Sequence, residues 1–87
     1  MKLFLIVKKV WFDKIKSGEK RVEYRQVTPY WINRLSQKKY DIVDFQLGYS
    51  KKNRITFDIV DIKLEAIKLD FFGSIENEIP VFAIHFK

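Results

Sequence analysis

With 87 residues, 47% of them hydrophobic, and a formal net charge of +6, the chain is long enough for one folded domain and too short for two cores. The absence of cysteine and the single histidine, His85, exclude disulfides, a thiol nucleophile and a thiolate-bound metal. The composition therefore predicts one domain over residues 1–87 without a metal or another cofactor. It also predicts a cytoplasmic protein, because no apolar run is long enough to cross a membrane.

The positive charge is concentrated in the first two thirds of the chain. Residues 1–54 carry 14 lysines and arginines against 5 acidic residues, whereas residues 55–87 carry 3 against 6. A basic surface of this kind is typical of proteins that bind RNA or another phosphate-bearing partner. Ordinary solubilising lysines explain the same asymmetry equally well.

The first predicted elements are a strand and a helix. The run of residues 3–7 is apolar on both faces, which predicts that residues 3–9 form a strand in the interior of a sheet. Residues 10–17 place Trp11 and Ile15 at helical spacing, and Gly18 follows where a left-handed residue typically ends a helix. Trp11 is therefore expected to pack in the core.

A second strand and a second helix follow. The alternation of residues 20–25 predicts a strand that turns Val22 and Tyr24 towards the core and its charged side chains away from it. Thr28 is a capping residue directly before a proline at the first helical position, so a helix is expected to begin there. Trp31 of this helix is also expected to pack in the core.

The remaining sequence predicts further strands. Residues 41–47 alternate and lead through a turn at residues 48–53 into a longer strand, so a hairpin is expected. The apolar pattern of that strand slips by one position at residues 59–60, which predicts a β-bulge or a barrel corner. Residues 65–79 look irregular, with a turn near Phe71–Ser74, and residues 81–86 are expected to form a closing strand. Together these elements predict an α+β fold, a small and partly open β-barrel of about five to six strands with two short helices.

The most specific motif lies at the start of the second strand. Residues 18–25 read GEKRVEYR and match the pattern GxKxxExR, with Gly18, Lys20, Glu23 and Arg25 at its fixed positions. The motif, the helix before it and the organisation of nearly the whole chain resemble the small bacterial and phage proteins of the ASCH superfamily. The resemblance implies a PUA-like fold and a cleft beside the motif that holds RNA, a nucleotide or a nucleoside.

The motif residues also suit such a ligand on chemical grounds. Two-residue spacing sets Glu23 and Arg25 on one face of the strand. Arg25 offers a bidentate fork for a phosphate or a base edge, and Lys20 offers a mobile point charge. Glu23 can orient either cation or accept a hydrogen bond from an amino group. The alternative is that Glu23 and Arg25 simply pair with each other on the strand face.

A second candidate for ligand binding is the basic turn of the expected hairpin. It combines an aromatic ring, a hydroxyl and three cations, namely Tyr49, Ser50, Lys51, Lys52 and Arg54. Such a group can stack on a base while it neutralises phosphates, and a solvated turn is the ordinary alternative. His85 has no carboxylate or cysteine at a telling spacing, which favours a structural role for it.

The resemblance also raises an enzymatic alternative. Some ASCH proteins of this size are amidohydrolases that deacetylate N4-acetylcytidine with a lysine, a threonine and a glutamate, and ribonuclease activity is a further trait of the family. Carried over by motif position, the lysine falls on Lys20, but Glu23 stands where the threonine belongs, and a carboxylate does not replace a hydroxyl nucleophile. The family's glutamate has three candidates in this chain, Glu65, Glu76 and Glu78. Catalytic roles for Lys20 and Glu23 are therefore expected only if the protein is an enzyme, and binding is preferred.

Overall fold

The computed structural model describes residues 1–36, 38–71 and 74–87. Over these residues the chain is an α+β fold with a five-stranded mixed sheet and two helices. In chain order the elements are β1 Lys2–Val7, α1 Lys9–Ser17, β2 Val22–Gln26, α2 Pro29–Ser36, β3 Ile42–Leu47, β4 Arg54–Phe71 and β5 Ser74–Phe86. The expected fold class and the two short helices are confirmed.

The strands lie in the order β1-β3-β4-β5-β2, so β1 and β2 form the two edges of the sheet. β1 runs parallel to β3, and the other neighbouring strands are antiparallel. As far as the chain is described, the sheet is not closed, and the expected barrel is not confirmed.

The position of β1 at an edge contradicts the interior position that its sequence predicts. Leu3 and Leu5 are buried in the core, but on the other face Phe4 is half-buried and Ile6 is exposed. Local contacts explain this second apolar face. The guanidinium of Arg54 lies over the Phe4 ring, 5.0 Å from its centroid, and Ile6 lines a cleft. Apolar residues on both faces therefore do not require a neighbouring strand on both sides.

Two arginines occupy the free edge of β1. Arg25 of β2 donates a hydrogen bond to the Ile6 carbonyl at 3.2 Å, and Arg34 of α2 donates one to the Phe4 carbonyl at 2.8 Å. The two carbonyls are two residues apart, so they point to the same side of the strand. The guanidinium groups thus occupy backbone carbonyls of the edge strand with which another chain could otherwise pair.

The core lies between one face of the sheet and the two helices. The sheet contributes buried side chains from β1, β3 and β5, α1 contributes Phe12 and Ile15, and α2 contributes Leu35. The residues of β5 that were expected to face inward are all buried: Phe82, Ile84 and Phe86. Helix spacing and strand alternation therefore predicted most of the core correctly.

The orientation of β2 is the reverse of the one predicted. Glu23 and Arg25 lie opposite Ile84 and Phe82 of β5, whose side chains face the core, so the charged motif residues share that inner face. Glu23 is 8% exposed and Tyr24 is 37% exposed. The alternating pattern located the strand, but pairing with β5 decided which face is buried.

The predicted irregularity in β4 is confirmed. The register between β4 and β5 shifts between Ile59 and Asp61, which leaves Val60 as the additional residue of a bulge. Val60 and Leu64 are both exposed, so the apolar residues after the slip do not all enter the core.

The β4–β5 hairpin is longer than predicted. Residues 65–79 belong to the two strands for the most part, with Ile67 opposite Ile79, and were wrongly expected to be irregular. Cross-strand pairing makes this segment regular, although its own apolar pattern is weak. The turn that was predicted here includes residues 72–73, which lie outside the described residues.

The signals for the helix ends are confirmed. Gly18 follows α1 with a φ of 91°, and its N–H donates to the Ile15 carbonyl. The hydroxyl of Thr28 accepts a hydrogen bond from the Trp31 N–H at 3.3 Å, as expected of a cap. Of the helices in the described part of the chain, none has the length and apolar character that a membrane span requires.

We expect Gly18→Ala to lower the free energy of unfolding by about 1 to 2 kcal/mol, because a φ of 91° is strained for a residue with a side chain. The added Cβ would also lie 3.3 Å from Arg21 Nη2. Urea unfolding of the variant and the parent protein measures the difference. Gly48→Ala is the matched control and should lose less, since Gly48 has a φ of 50° and open space around the Cβ position. Equal losses in the two variants would contradict this role of Gly18.

Candidate functional site

A cleft of about 600 Å³ opens between the two edge strands, β1 and β2. The end of β1 and Lys8 form one side of it, Trp11 of α1 and the motif residues form another, and Ile67 of β4 completes it. This volume is typical of sites for small organic ligands. The cleft therefore lies beside the motif, where the resemblance implies one.

Three charged motif residues meet in this cleft. One carboxylate oxygen of Glu23 lies 3.4 Å from Lys20 Nζ, and the other lies 2.9 Å from Arg25 Nη2. The side chains of all three residues are largely buried. The two interpretations of the motif are thus not exclusive: the charges pair with one another, and the same groups line an open cleft.

Two aromatic rings flank the ammonium of Lys20. Its Nζ atom lies 5.3 Å from the ring centroid of Trp11 and 5.3 Å from that of Tyr24. Cations are attracted to aromatic faces at such distances. Trp11 is 43% exposed and lines the cleft, so its predicted place in the core was wrong. The helix turns Phe12 and Ile15 to the core instead.

The turn at Gly18 positions Lys20 beside these rings. After the left-handed residue, the chain reverses direction, and the N–H of Lys20 donates to the Lys14 carbonyl at 3.1 Å. This bond fixes the backbone of Lys20 against the last turn of α1. The motif glycine therefore acts through backbone geometry, which the sequence predicts.

Arg25 is held in place from three sides. Its guanidinium bonds to Glu23 and to the Ile6 carbonyl, and it lies 5.3 Å from the ring centroid of Trp31. Within the described structure, no group accepts a hydrogen bond from its buried Nε atom. Arg25 is thus a fixed cation, in contrast to a surface arginine with a free side chain.

The basic turn lies apart from the cleft. The residues predicted for this turn are Tyr49, Ser50, Lys51, Lys52 and Arg54. None of these five is among the described residues that line the cleft. Arg54 instead pairs with the buried carboxylate of Asp44, 2.6 Å away. Tyr49 is 92% exposed. The turn meets β1 through the Gly48 N–H, which donates to the Val7 carbonyl, so it lies next to the end of β1 that leads into the cleft.

The pair formed by His85 and Glu65 was missed in the sequence. His85 Nε2 lies 2.6 Å from Glu65 Oε2, on the face of the sheet that is turned away from the core. The spacing of these two residues in the sequence does not predict the pair, because their contact depends on the register between β4 and β5. Of the other two glutamates considered for catalysis, Glu78 is exposed, and the side chain of Glu76 is not among those described.

The described residues show no group of three or more His, Cys, Asp or Glu side chains that is arranged to hold a metal ion. Away from the cleft, the Met1 amino group lies 2.8 Å from Asp41, and its hydrogen bond and charge lower the pKa of that carboxyl. The charges that bear on a ligand are therefore those of the cleft itself.

Comparison with known proteins found nothing similar: no family model, no curated protein and no solved structure matches this chain. The cleft and the motif that lines it are therefore the features that bear on function. Within the cleft, Glu23 is the residue on which the others depend, because it binds both motif cations.

We expect Glu23→Gln to lower the free energy of unfolding by about 2 kcal/mol, because two largely buried cations lose their carboxylate. The amide keeps the size of the side chain, so the loss reports on charge. Chemical denaturation is the measurement. The matched control is Glu19→Gln, which changes an exposed glutamate and should alter stability by less than about 0.5 kcal/mol. If both variants are equally stable, the ion pairs do not support the fold.

Proposed function

We propose that the chain is a PUA-like domain of the ASCH type that binds RNA or a nucleotide in the cleft between β1 and β2. In this proposal the sheet is a partly open barrel, its open seam is the binding cleft, and the protein acts in the cytoplasm. The observation that carries the proposal is the position of the Lys20 ammonium, between two part-exposed aromatic rings and above a buried carboxylate–guanidinium pair.

The aromatic rings supply the surface that a base needs. Trp11 and Tyr24 both line the cleft, and each exposes more than a third of its surface. Stacking on an aromatic side chain contributes about 1 to 3 kcal/mol per base and tolerates any base. A cleft with two such rings therefore supports binding of a nucleobase.

The charges of the cleft favour a ligand that is also an anion. Among the described residues that line it, three are cations, Lys8, Lys20 and Arg25, and one is a carboxylate, Glu23. Because Glu23 repels phosphate, the phosphate of a ligand is expected near Lys8 and Lys20. A carboxylate has more acceptor sites than its contacts with Lys20 and Arg25 use, so Glu23 can also accept a hydrogen bond from an amino group of the base.

The amidohydrolase alternative has less support. Lys20 is already engaged as the ion-pair partner of Glu23, with 3.4 Å between its Nζ atom and a carboxylate oxygen. No serine or threonine is among the described residues that line the cleft. Glu65, one of the glutamates considered for catalysis, is bonded to His85 and is not among the described residues that line the cleft. Binding without chemistry is therefore the function we propose.

Removal of the Trp11 ring should weaken the binding of a single nucleotide. We expect Trp11→Ala to reduce the affinity for nucleoside 5′-monophosphates about tenfold, and Trp11→Phe to retain most of it, because stacking needs an aromatic face. Isothermal titration calorimetry with AMP, CMP, GMP and UMP measures both. Val10→Ala changes the exposed neighbour of Trp11 outside the cleft and serves as the control. If the parent protein binds neither these nucleotides nor single-stranded RNA, the proposal is wrong.

The salt dependence of RNA binding should identify the cation that meets a phosphate. We expect Lys20→Gln to reduce the slope of log K against log salt by about 0.7, the value for one phosphate contact in a single strand. Filter binding of single-stranded RNA between about 50 and 200 mM salt measures the slope. Lys16→Gln, at an exposed position of α1, should leave it unchanged.

The same assay tests the basic turn. Lys52→Gln removes a cation of that turn without altering the cleft. If Lys52→Gln lowers the slope and Lys20→Gln does not, RNA binds at the turn, and the cleft is not the site.

A further inference from the structure

A second hollow adjoins the cleft along the free edge of β1. Its volume is about 250 Å³, less than that of a typical independent ligand pocket. Ile6 and Arg25 line both the cleft and this hollow, which is completed by Phe4 on β1 and by side chains of α2. The two therefore meet at Arg25 and form one track beside the strand.

The arginines at the edge of β1 are arranged in a row along this track. Arg25 and Arg34 donate to the carbonyls of Ile6 and Phe4, which lie two residues apart and so about 6.6 Å from each other. Both guanidinium groups also pack on Trp31, at 5.3 and 5.2 Å from its ring centroid. Carbonyl and ring contacts thus hold both guanidinium groups along the edge of β1, so their positions are fixed before any ligand arrives.

The second hollow differs from the cleft in the kind of charge that lines it. Arg25 and Arg34 line it, and no carboxylate is among its described lining residues. The Phe4 carbonyl and the Tyr30 hydroxyl are neutral partners, so these two contacts do not neutralise Arg34 and use only two of its five N–H donors. Along the track, the described lining residues include four cations and one carboxylate, that of Glu23.

Tyr30 gives this hollow a stacking surface of its own. The residue is 62% exposed, yet its ring is held edge-on against Trp31, with centroids 4.9 Å apart and an interplanar angle of 89°. Arg34 Nη1 donates to its hydroxyl at 3.3 Å. A tyrosine ring that is fixed by its neighbours and still open to solvent can receive a second base at little entropic cost.

We propose that the ligand is a segment of single-stranded RNA at least two nucleotides long, with one nucleotide in the cleft and the next in the hollow of Tyr30 and Arg34. This inference rests on the proposed function and narrows it, because a free nucleotide fills only part of the track. The strand is single because its bases must leave a duplex to lie against the two aromatic surfaces.

The test is a length series of 5′-phosphorylated oligo-uridine and oligo-adenosine, with one, two and four nucleotides, titrated by calorimetry. We expect affinity to rise about tenfold or more from one nucleotide to two, and by less from two to four. Tyr30→Ala should abolish the first step and leave mononucleotide affinity within about twofold, whereas Tyr30→Phe should preserve the step.

A tyrosine outside the track shows where the second nucleotide lies. Tyr49→Ala removes the exposed ring of the basic turn, and we expect the step from one nucleotide to two to persist in it. Loss of the step in Tyr49→Ala and not in Tyr30→Ala would place the second nucleotide on the turn and overturn the inference.

The length series also separates the two proposals. If one nucleotide binds as tightly as two, and Tyr30→Ala has no effect, the second site is wrong while the cleft remains a nucleotide site. If nothing in the series binds the parent protein, the proposed function fails as well.

Discussion

The fold around the cleft depends on one buried carboxylate. Glu23 lies on the inner face of β2, opposite the fully buried Ile84, where an unpaired charge would be strongly destabilising. Two cations on the same side of the strand make this position tolerable. One of them, Arg25, also binds the Ile6 carbonyl, so the charge on β2 is linked to the backbone of β1. Arg25, which pairs with Glu23, therefore also bridges the two edge strands of the sheet.

The cleft lies where the sheet is incomplete. A backbone ladder between β1 and β2 would fill the space with main chain, whereas side-chain contacts across the same gap satisfy the carbonyls of Phe4 and Ile6 and leave room beside them. Guanidinium groups suit this task, because each has more donors than one carbonyl can use. In the proposed function, the residues that protect the edge strand, Arg25 and Arg34, are therefore also the ones that meet an anion.

The sequence predicted the features that local chemistry decides. Gly18 after α1, the cap at Thr28 and the bulge of β4 each depend on a few neighbouring residues, and all three are confirmed. The motif also predicted where a cleft would lie. Alternation could not decide which face of β2 is buried, because a carboxylate on the core face is stable only when its partners are known. The exposure of Trp11 was missed for a similar reason: helical spacing does not reveal that Lys20 folds back against its ring.

The position of Lys20 also bears on which ligands the cleft favours. Its ammonium lies against Trp11 and Tyr24, in the space that a stacked base would take. A base must therefore displace it and replace cation–π contacts of about 0.5 to 1 kcal/mol each with stacking of about 1 to 3 kcal/mol. The displaced ammonium needs a new anionic partner, because the carboxylate of Glu23 also pairs with Arg25. A phosphate on the same ligand supplies that partner. A nucleoside lacks the anion and a free phosphate lacks the aromatic face, so the exchange favours ligands that carry both.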